Sequence, residues 1–358
     1  MALIVTPQDI QVIWLDSLTD KMLREQAQGP DEAQALGGYL GAYVAWQKDP
    51  YHPATCQAWE QALDTTTRWL WDAFMGPLTQ ALKKQAVTQA VLIPGGLLGL
   101  LPLHAAWRED PAAPRGRRYA LDTICFTYAP SARSLQEGRE IAARALPDLL
   151  LAIDNPDGSL KASSEEVRAA LAGFDHKLHL LGGKATKQAV TKALPDYPVL
   201  HFSTHGNAGW AEPLQGGLLL ADGTLTLDEL LDLRLPGARL AVLSACETGV
   251  PGTKLPDEVV SLPAGLMQAG VAGVAASLWS VLDISTAMLM ARFYELWLRD
   301  TTDGEKKAYF QTSLPEFAAL RMPAESADAF FKTVVLNDDD AHSFAHPFHW
   351  AAFAYTGV

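Results

Sequence analysis

The pattern of apolar and polar positions divides the chain into a helical first part and a later part built on strands. At the start, short apolar runs at residues 2–5 and 10–15 flank the turn sequence Thr6-Pro7-Gln8-Asp9 and predict a β-hairpin. From residue 19 to residue 84 the apolar positions recur at helical spacing. This stretch therefore predicts helices that pack one apolar face against the rest of the protein.

After residue 85 the chain shows short, nearly continuous apolar runs separated by helical segments, which is typical of a buried parallel sheet. Strands are predicted at residues 90–93, 149–153, 178–181, 199–203, 240–244, 271–278 and 349–355. Helices are predicted at residues 163–172, 187–193, 227–233, 257–269 and 284–299. This alternation predicts an α/β fold with a doubly wound, mostly parallel sheet flanked by helices. We expect an N-terminal hairpin and helical decoration in residues 1–85, and the main domain in residues 86–358.

The composition agrees with a globular protein and excludes several classes of function. Of the 358 residues, 49% are hydrophobic and 19% are charged, which gives enough apolar mass for a large core. The net charge of −13 argues against a nucleic-acid partner, because such proteins gather Lys and Arg on one face. No apolar run reaches membrane-spanning length and no secretory signal begins the chain, so we expect a cytoplasmic protein without a membrane partner.

The three cysteines must be considered one by one, since an odd number cannot all pair and none lies in a CxxC motif. A disulfide framework or a structural zinc site is therefore not predicted. Cys56 and Cys125 resemble packing residues. Cys246 differs, because it comes directly after the predicted strand at residues 240–244.

A histidine stands in the same position after another strand, since His205 follows the predicted strand at residues 199–203. Ligands of open α/β sheets bind beyond the carboxyl ends of the strands, so neighbouring strands would bring both side chains to one crevice. An imidazole there can deprotonate the Cys246 thiol and later protonate a leaving amine. The N–H groups of Gly206 and Cys246 are candidate oxyanion donors. A purely structural role of this cysteine and histidine stays open at this point.

Two short strings carry a family resemblance, HFSTHG at residues 201–206 and LSACETG at residues 243–249. They closely resemble the signatures of the CHAT family, whose members are peptidases related to caspases and separases. Further similar segments lie at residues 91–107, 128–135, 257–283 and 346–357. The resemblance implies a caspase-like fold, a catalytic dyad of His205 and Cys246, cleavage of specific partner proteins, and no cofactor or metal. It also implies control by a sensor or regulatory protein. The alternative is a catalytically inactive caspase-like scaffold that binds partner proteins.

One further residue matches the family at a position that concerns specificity. Asp283, in the string LWSVLD, resembles the position that meets a basic side chain in separases. The resemblance thus implies a substrate-binding carboxylate and a preference for Arg or Lys before the scissile bond, since a guanidinium and a carboxylate form a strong bidentate pair. Asp283 also precedes a long apolar segment, where it would suit the N-cap of a helix. Both interpretations stay open.

Overall fold

The computed structural model describes residues 1–30, 36–113, 116–209, 212–250, 260–281, 283–301 and 346–358. The chain divides into two compact units, the first formed by residues 1–130 and the second beginning at Ser131. The domain boundary that the sequence suggests, between residues 85 and 86, stays a prediction. Within the described residues, no helix combines the length and the apolar character that crossing a lipid bilayer requires.

The first unit contains the predicted hairpin, with β1 (Ala2–Val5) antiparallel to β2 (Ile10–Ile13). The helices that follow are α1 (Asp20–Gln28), α2 (Gly38–Lys48), α3 (Pro53–Leu70) and α4 (Gly76–Lys84). Helix α3 begins at a proline, whose missing N–H costs nothing in the first helical turn. Its Trp59 is fully buried against the rings of Tyr39 and Tyr43, with ring centroids 4.9 and 5.0 Å away. The apolar face predicted for this stretch is therefore core.

Two strand pairs complete the first unit. Strand β3 (Gln89–Leu92) lies parallel to β6 (Cys125–Tyr128), and β4 (Trp107–Glu109) is antiparallel to β5 (Arg117–Tyr119). Arg117 forms a bidentate ion pair with Asp64 of α3, at 2.7 and 2.8 Å. The Arg117 guanidinium is thus engaged within the unit.

The second unit is built on a parallel sheet with one antiparallel strand. Its strands are β7 (Leu149–Asp154), β8 (His176–Leu181), β9 (Val199–Ser203), β13 (Leu240–Ser244), β14 (Gly273–Ser277) and β15 (Phe353–Gly357). They lie in the order β15-β14-β13-β9-β7-β8, and only the β14–β15 pair of this described set is antiparallel. A small antiparallel sheet is made by β10 (Gly206–Asn207), β11 (Gly217–Leu220) and β12 (Gly223–Thr226).

Helices cover both faces of this sheet. They are α5 (Ala132–Ala142), α6 (Ser163–Ala172), α7 (Lys187–Ala193), α8 (Leu227–Leu231), α9 (Leu262–Ala269), α10 (Asp283–Thr301) and α11 (Pro347–Trp350). Alternate residues of one strand show the two faces: Val199 packs with α6 and α10, whereas Leu200 packs with α7, α8 and α9. The predicted α/β class, with a doubly wound and mostly parallel sheet, is confirmed.

Several element boundaries differ from the predicted ones, and each difference has a local cause. The strand predicted at residues 349–355 is wrong at its start, because Pro347 opens the short helix α11 and the His346 side chain accepts a bond from the Phe348 N–H. The helix predicted from residue 257 is described only from Leu262, where the Ser261 side chain caps α9. Residues 251–259 lie outside the described residues. Strand β6 and helix α5 are absent from the prediction.

Candidate active site

The pairing of β9 with β13 sets the relative position of His205 and Cys246. The two parallel strands pair with one constant offset, from Val199 opposite Leu240 to the last pair, Ser203 opposite Ser244. His205 and Cys246 each lie two residues beyond this last pair, so they keep the same offset. Neighbouring strands run about 4.8 Å apart. The two residues therefore leave the sheet side by side at its carboxyl edge.

The two strands that lead to these residues turn corresponding side chains to the same face of the sheet. His201 and Ser203 point to the side of α6 and α10, as Val242 does on β13. His205 and Cys246 each lie two residues beyond the end of these strands, at Ser203 and Ser244. The His205 side chain is 41% exposed and Cys246 is half-buried. Both predicted site residues thus lie at the surface end of buried strands.

A buried polar cluster lies on the face of the sheet to which His201 and Ser203 point. Ser203 Oγ donates to Glu166 Oε2 at 3.1 Å, and the Tyr294 hydroxyl lies 3.0 Å from His201 Nδ1. His201 Nε2 and Glu166 Oε1 are 3.2 Å apart, although their angle is not that of a hydrogen bond. All four side chains are almost completely buried, and burial, followed by the Glu166 charge, raises the pKa of Tyr294. This cluster links β9 to α6 and α10.

The loop that carries Cys246 is fastened to the end of β14. The Ala245 carbonyl accepts hydrogen bonds from Ser277 Oγ at 2.6 Å and from Thr248 Oγ1 at 3.2 Å. Glu247, the residue after Cys246, has a φ of 58°, in the left-handed region that non-glycine residues rarely adopt. A buried, strained turn of this kind persists only when its surroundings hold it, and such turns concentrate at functional sites. The position of Cys246 is therefore closely determined by its neighbours.

Gly206 lies where the segments after β9 and β13 come closest. A Cβ atom on Gly206 would lie 2.4 Å from the Cys246 carbonyl oxygen and 2.8 Å from Thr248 Cγ2, so no larger residue fits without a shift. The His205 carbonyl accepts from the Leu219 N–H at 2.8 Å. In an antiparallel ladder the next residue turns its N–H to the other side, which directs the Gly206 N–H away from β11.

The imidazole of His205 contacts a loop that the sequence-based prediction left out. Ser159 Oγ lies 2.6 Å from His205 Nε2, and Asp157 Oδ2 lies 3.8 Å from the same nitrogen. Both residues follow β7, the other neighbour of β9 in the sheet. His205 and Cys246 were identified by inspection of the residues after their apolar runs. The same inspection after β7 would have identified Asp157 and Ser159.

The remaining predicted residues are located as follows. Asp283 is the first residue of α10, and its side chain lies outside the described part of the chain. Cys56, Cys125 and Cys246 are all described, and none of the three forms a disulfide. Cys125 is exposed at the start of β6, and Cys56 is half-buried in α3 with its thiol donating to the Pro50 carbonyl at 3.2 Å.

Comparison with known proteins gives one family and a few distant structures. A family profile described as the CHAT domain matches residues 64–358. Among solved structures, the chain is similar to the Arg-specific cysteine proteinase gingipain R (RGPB), with 11% identity, a TM-score of 0.42, and coverage of 78% of this chain and 64% of that one. It is also similar to separase in two crystal structures of the Saccharomyces cerevisiae separase–securin complex.

The two separase matches have identities of 14% and 13% and TM-scores of 0.44 and 0.43. They cover 79% and 76% of this chain but only 20% and 19% of the separase chain. The chain therefore spans less than two thirds of the length of each of these relatives. No curated protein sequence matches it.

Proposed function

The chain belongs to the CHAT domain family, and from this we propose that it is a cysteine endopeptidase whose nucleophile is Cys246 and whose acid–base group is His205. The observation that supports the proposal most directly is the β9–β13 register, because His205 and Cys246 lie at equal offsets beyond its last pair, Ser203 and Ser244. Partial exposure of both side chains leaves them within reach of a peptide.

The proposed reaction follows the chemistry of a thiol beside an imidazole. His205 takes the proton of the Cys246 thiol, and the thiolate attacks the scissile carbonyl to form a tetrahedral intermediate. The N–H groups of Gly206 and Cys246 stabilise the oxyanion in our proposal, and the close approach of Gly206 to the Cys246 carbonyl keeps these donors together. The imidazolium then protonates the leaving amine, and water hydrolyses the thioester.

We propose that the substrates are partner proteins cut after a basic residue, with Asp283 as the carboxylate that recognises it. Asp283 is the first residue of α10, a helix that packs on the same sheet as β9 and β13. The proposal requires no cofactor. Control by a sensor or partner protein and a cytoplasmic location stay predictions.

Alkylation by iodoacetamide tests the proposed dyad without a known substrate. In the wild-type protein we expect Cys246 to react at least about tenfold faster at neutral pH than Cys125, which is more exposed but has no imidazole in register with it. His205→Ala should remove this difference, and peptide mapping of the alkylated sites measures it. Equal, slow modification of Cys246 and Cys125 would instead support the non-catalytic scaffold.

A peptide library with every residue type before the scissile bond tests the specificity. We expect cleavage after Arg and Lys in the wild-type protein, and a fall of about tenfold or more in this preference in Asp283→Ala, since a charge-assisted pair contributes about 1.5 to 3 kcal/mol. Cleavage of peptides without a basic residue should change little. Asp232→Ala, which removes a carboxylate after α8, is the control for net charge. An unaltered preference in Asp283→Ala would rule out this pocket.

A further inference from the structure

The loop between β7 and α6 is held rigidly next to His205. Asn155 donates its N–H to the Ser203 carbonyl at 2.9 Å, two residues before His205. The Asn155 side chain closes the loop, because its Nδ2 donates to the Leu160 carbonyl at 2.8 Å and its Oδ1 accepts from the Leu160 N–H at 3.0 Å. The residues enclosed by these two bonds include Asp157 and Ser159. The loop is therefore fixed to the same strand that carries the histidine.

Within this loop, Asp157 and Ser159 form a chain of contacts that ends on the imidazole. The Ser159 hydroxyl lies 2.6 Å from His205 Nε2 and 2.9 and 3.0 Å from the two carboxylate oxygens of Asp157. Partial burial alone would raise the pKa of Asp157, but the hydrogen bonds from Ser159 and the nearby His205 outweigh it, so the pKa is lowered. Asp157 is consequently a carboxylate at neutral pH and accepts hydrogen bonds only.

This charge state determines the direction of the hydrogen bonds. A serine hydroxyl has one hydrogen, and an ionised carboxylate accepts it. The Ser159 oxygen is then an acceptor toward His205, so the ring nitrogen Nε2 carries the proton. In a neutral imidazole the proton on Nε2 leaves the lone pair on Nδ1.

We propose that Ser159 and Asp157 are positioning residues of the active site, which hold His205 in the tautomer that presents Nδ1 as the base toward Cys246. The inference rests on the proposed function. When His205 takes the thiol proton on Nδ1, the other proton stays on Nε2 and is donated in a hydrogen bond to the Ser159 oxygen. The Asp157 charge, 3.8 Å from Nε2, stabilises the imidazolium. No proton passes to the carboxylate in this arrangement.

The environment of His205 limits the expected effects to moderate ones. Among the described residues, Asp157 on the loop is the titratable group in contact with it. Cys246 and the buried Glu247 lie just beyond the end of the neighbouring strand, β13. The Asp157 side chain is 34% exposed, so water screens its charge. We therefore expect a shift in pH dependence rather than loss of the reaction.

Three variants and one control test the proposal in the full-length protein, with a library peptide that the wild type cleaves. Ser159→Ala should lower kcat/KM by about three- to tenfold, the range of one hydrogen bond. Ser159→Thr keeps the hydroxyl and should restore most of the rate. Asp157→Asn destabilises the imidazolium, so the acid limb of kcat/KM, where protonation removes the base, should move to lower pH by about half a unit. Asp148→Asn removes the same charge from an exposed site near the start of β7 and should leave the acid limb of kcat/KM at its wild-type pH.

The outcomes separate this inference from the proposed function. If the wild type cleaves the peptide but Ser159→Ala keeps its rate, or Asp157→Asn has the same acid limb as Asp148→Asn, the positioning role is wrong and the dyad still holds. If the wild type cleaves no peptide and iodoacetamide modifies Cys246 no faster than Cys125, the proposed function itself fails. A rate lost in Ser159→Ala and equally lost in Ser159→Thr would also overturn the inference, because it would point to the loop fold instead of the hydroxyl.

Discussion

Replacement of Cys246 by alanine is expected to lower peptide cleavage by at least about a thousandfold, since the residual rate would come only from substrate binding and oxyanion donors. His205→Ala should lower it by about a hundredfold or more, because the thiol then lacks its base and the leaving amine lacks its acid. The measurement is kcat/KM on a peptide selected with the wild-type protein.

The matched control for this experiment is Cys125→Ala, which removes the same thiol from an exposed position in the first unit. It should leave cleavage unchanged. The melting temperatures of Cys246→Ala and the wild type should agree within about 2 °C, since a half-buried thiol contributes little packing. Cleavage that persists in Cys246→Ala would exclude this cysteine as the nucleophile.

Glu166→Ala is expected to destabilise the protein by about 3 kcal/mol, the largest effect on stability that we predict for a single polar side chain. The change removes the partner of the Ser203 hydroxyl and the carboxylate 3.2 Å from His201 Nε2, and both groups are buried. A buried polar group without its partner bears the full cost of desolvation. The melting temperature should fall by about 6 to 12 °C in calorimetry, as expected for a unit of this size.

The neighbouring Glu165 provides the control, since it lies one position earlier on α6 and pairs with Arg168 near the surface. Glu165→Ala should cost less than about 1 kcal/mol, as partly exposed ion pairs do. Glu166→Gln should be intermediate, because the amide oxygen still accepts from Ser203 while the charge is lost. Equal shifts for Glu165→Ala and Glu166→Ala would show that the buried cluster does not stabilise the sheet.

Among the strands, those predicted most accurately are the ones that are buried on both sides. Strands β9 and β13 agree with the prediction residue for residue, because all of their residues are buried and the apolar run ends where the sheet ends. Strand β6 was missed because only Phe126 of its residues is buried, which gives too short an apolar signal. At α11, Pro347 and the His346 cap override the strand preference of the aromatic residues after them.

For the proposed site residues, the local sequence predicts some features, and others depend on contacts between distant parts of the chain. The positions of His205 and Cys246 after apolar runs were visible in the sequence, but their register depends on β9 and β13 being neighbours, which neither strand specifies alone. Asp157 and Ser159 lie in a turn sequence around Gly158, where polar residues are ordinary. Glu166 was not predicted to be buried, because an acidic residue in the first turn of a helix usually lies at the surface, where it interacts favourably with the helix dipole.

The ladder between β9 and β13 has a consequence for recognising distant relatives of this protein. In the proposed dyad, the imidazole and the thiol are matched by the number of residues from each strand to His205 and to Cys246, two in both cases. The number of residues in the connection from Ala208 to Arg239 does not enter this count. An insertion of a single residue between Val199 and His205 would instead turn the imidazole toward α7, α8 and α9. Separation along the chain is therefore a poor criterion for this architecture, and the distance of each reactive residue from its own strand is a good one.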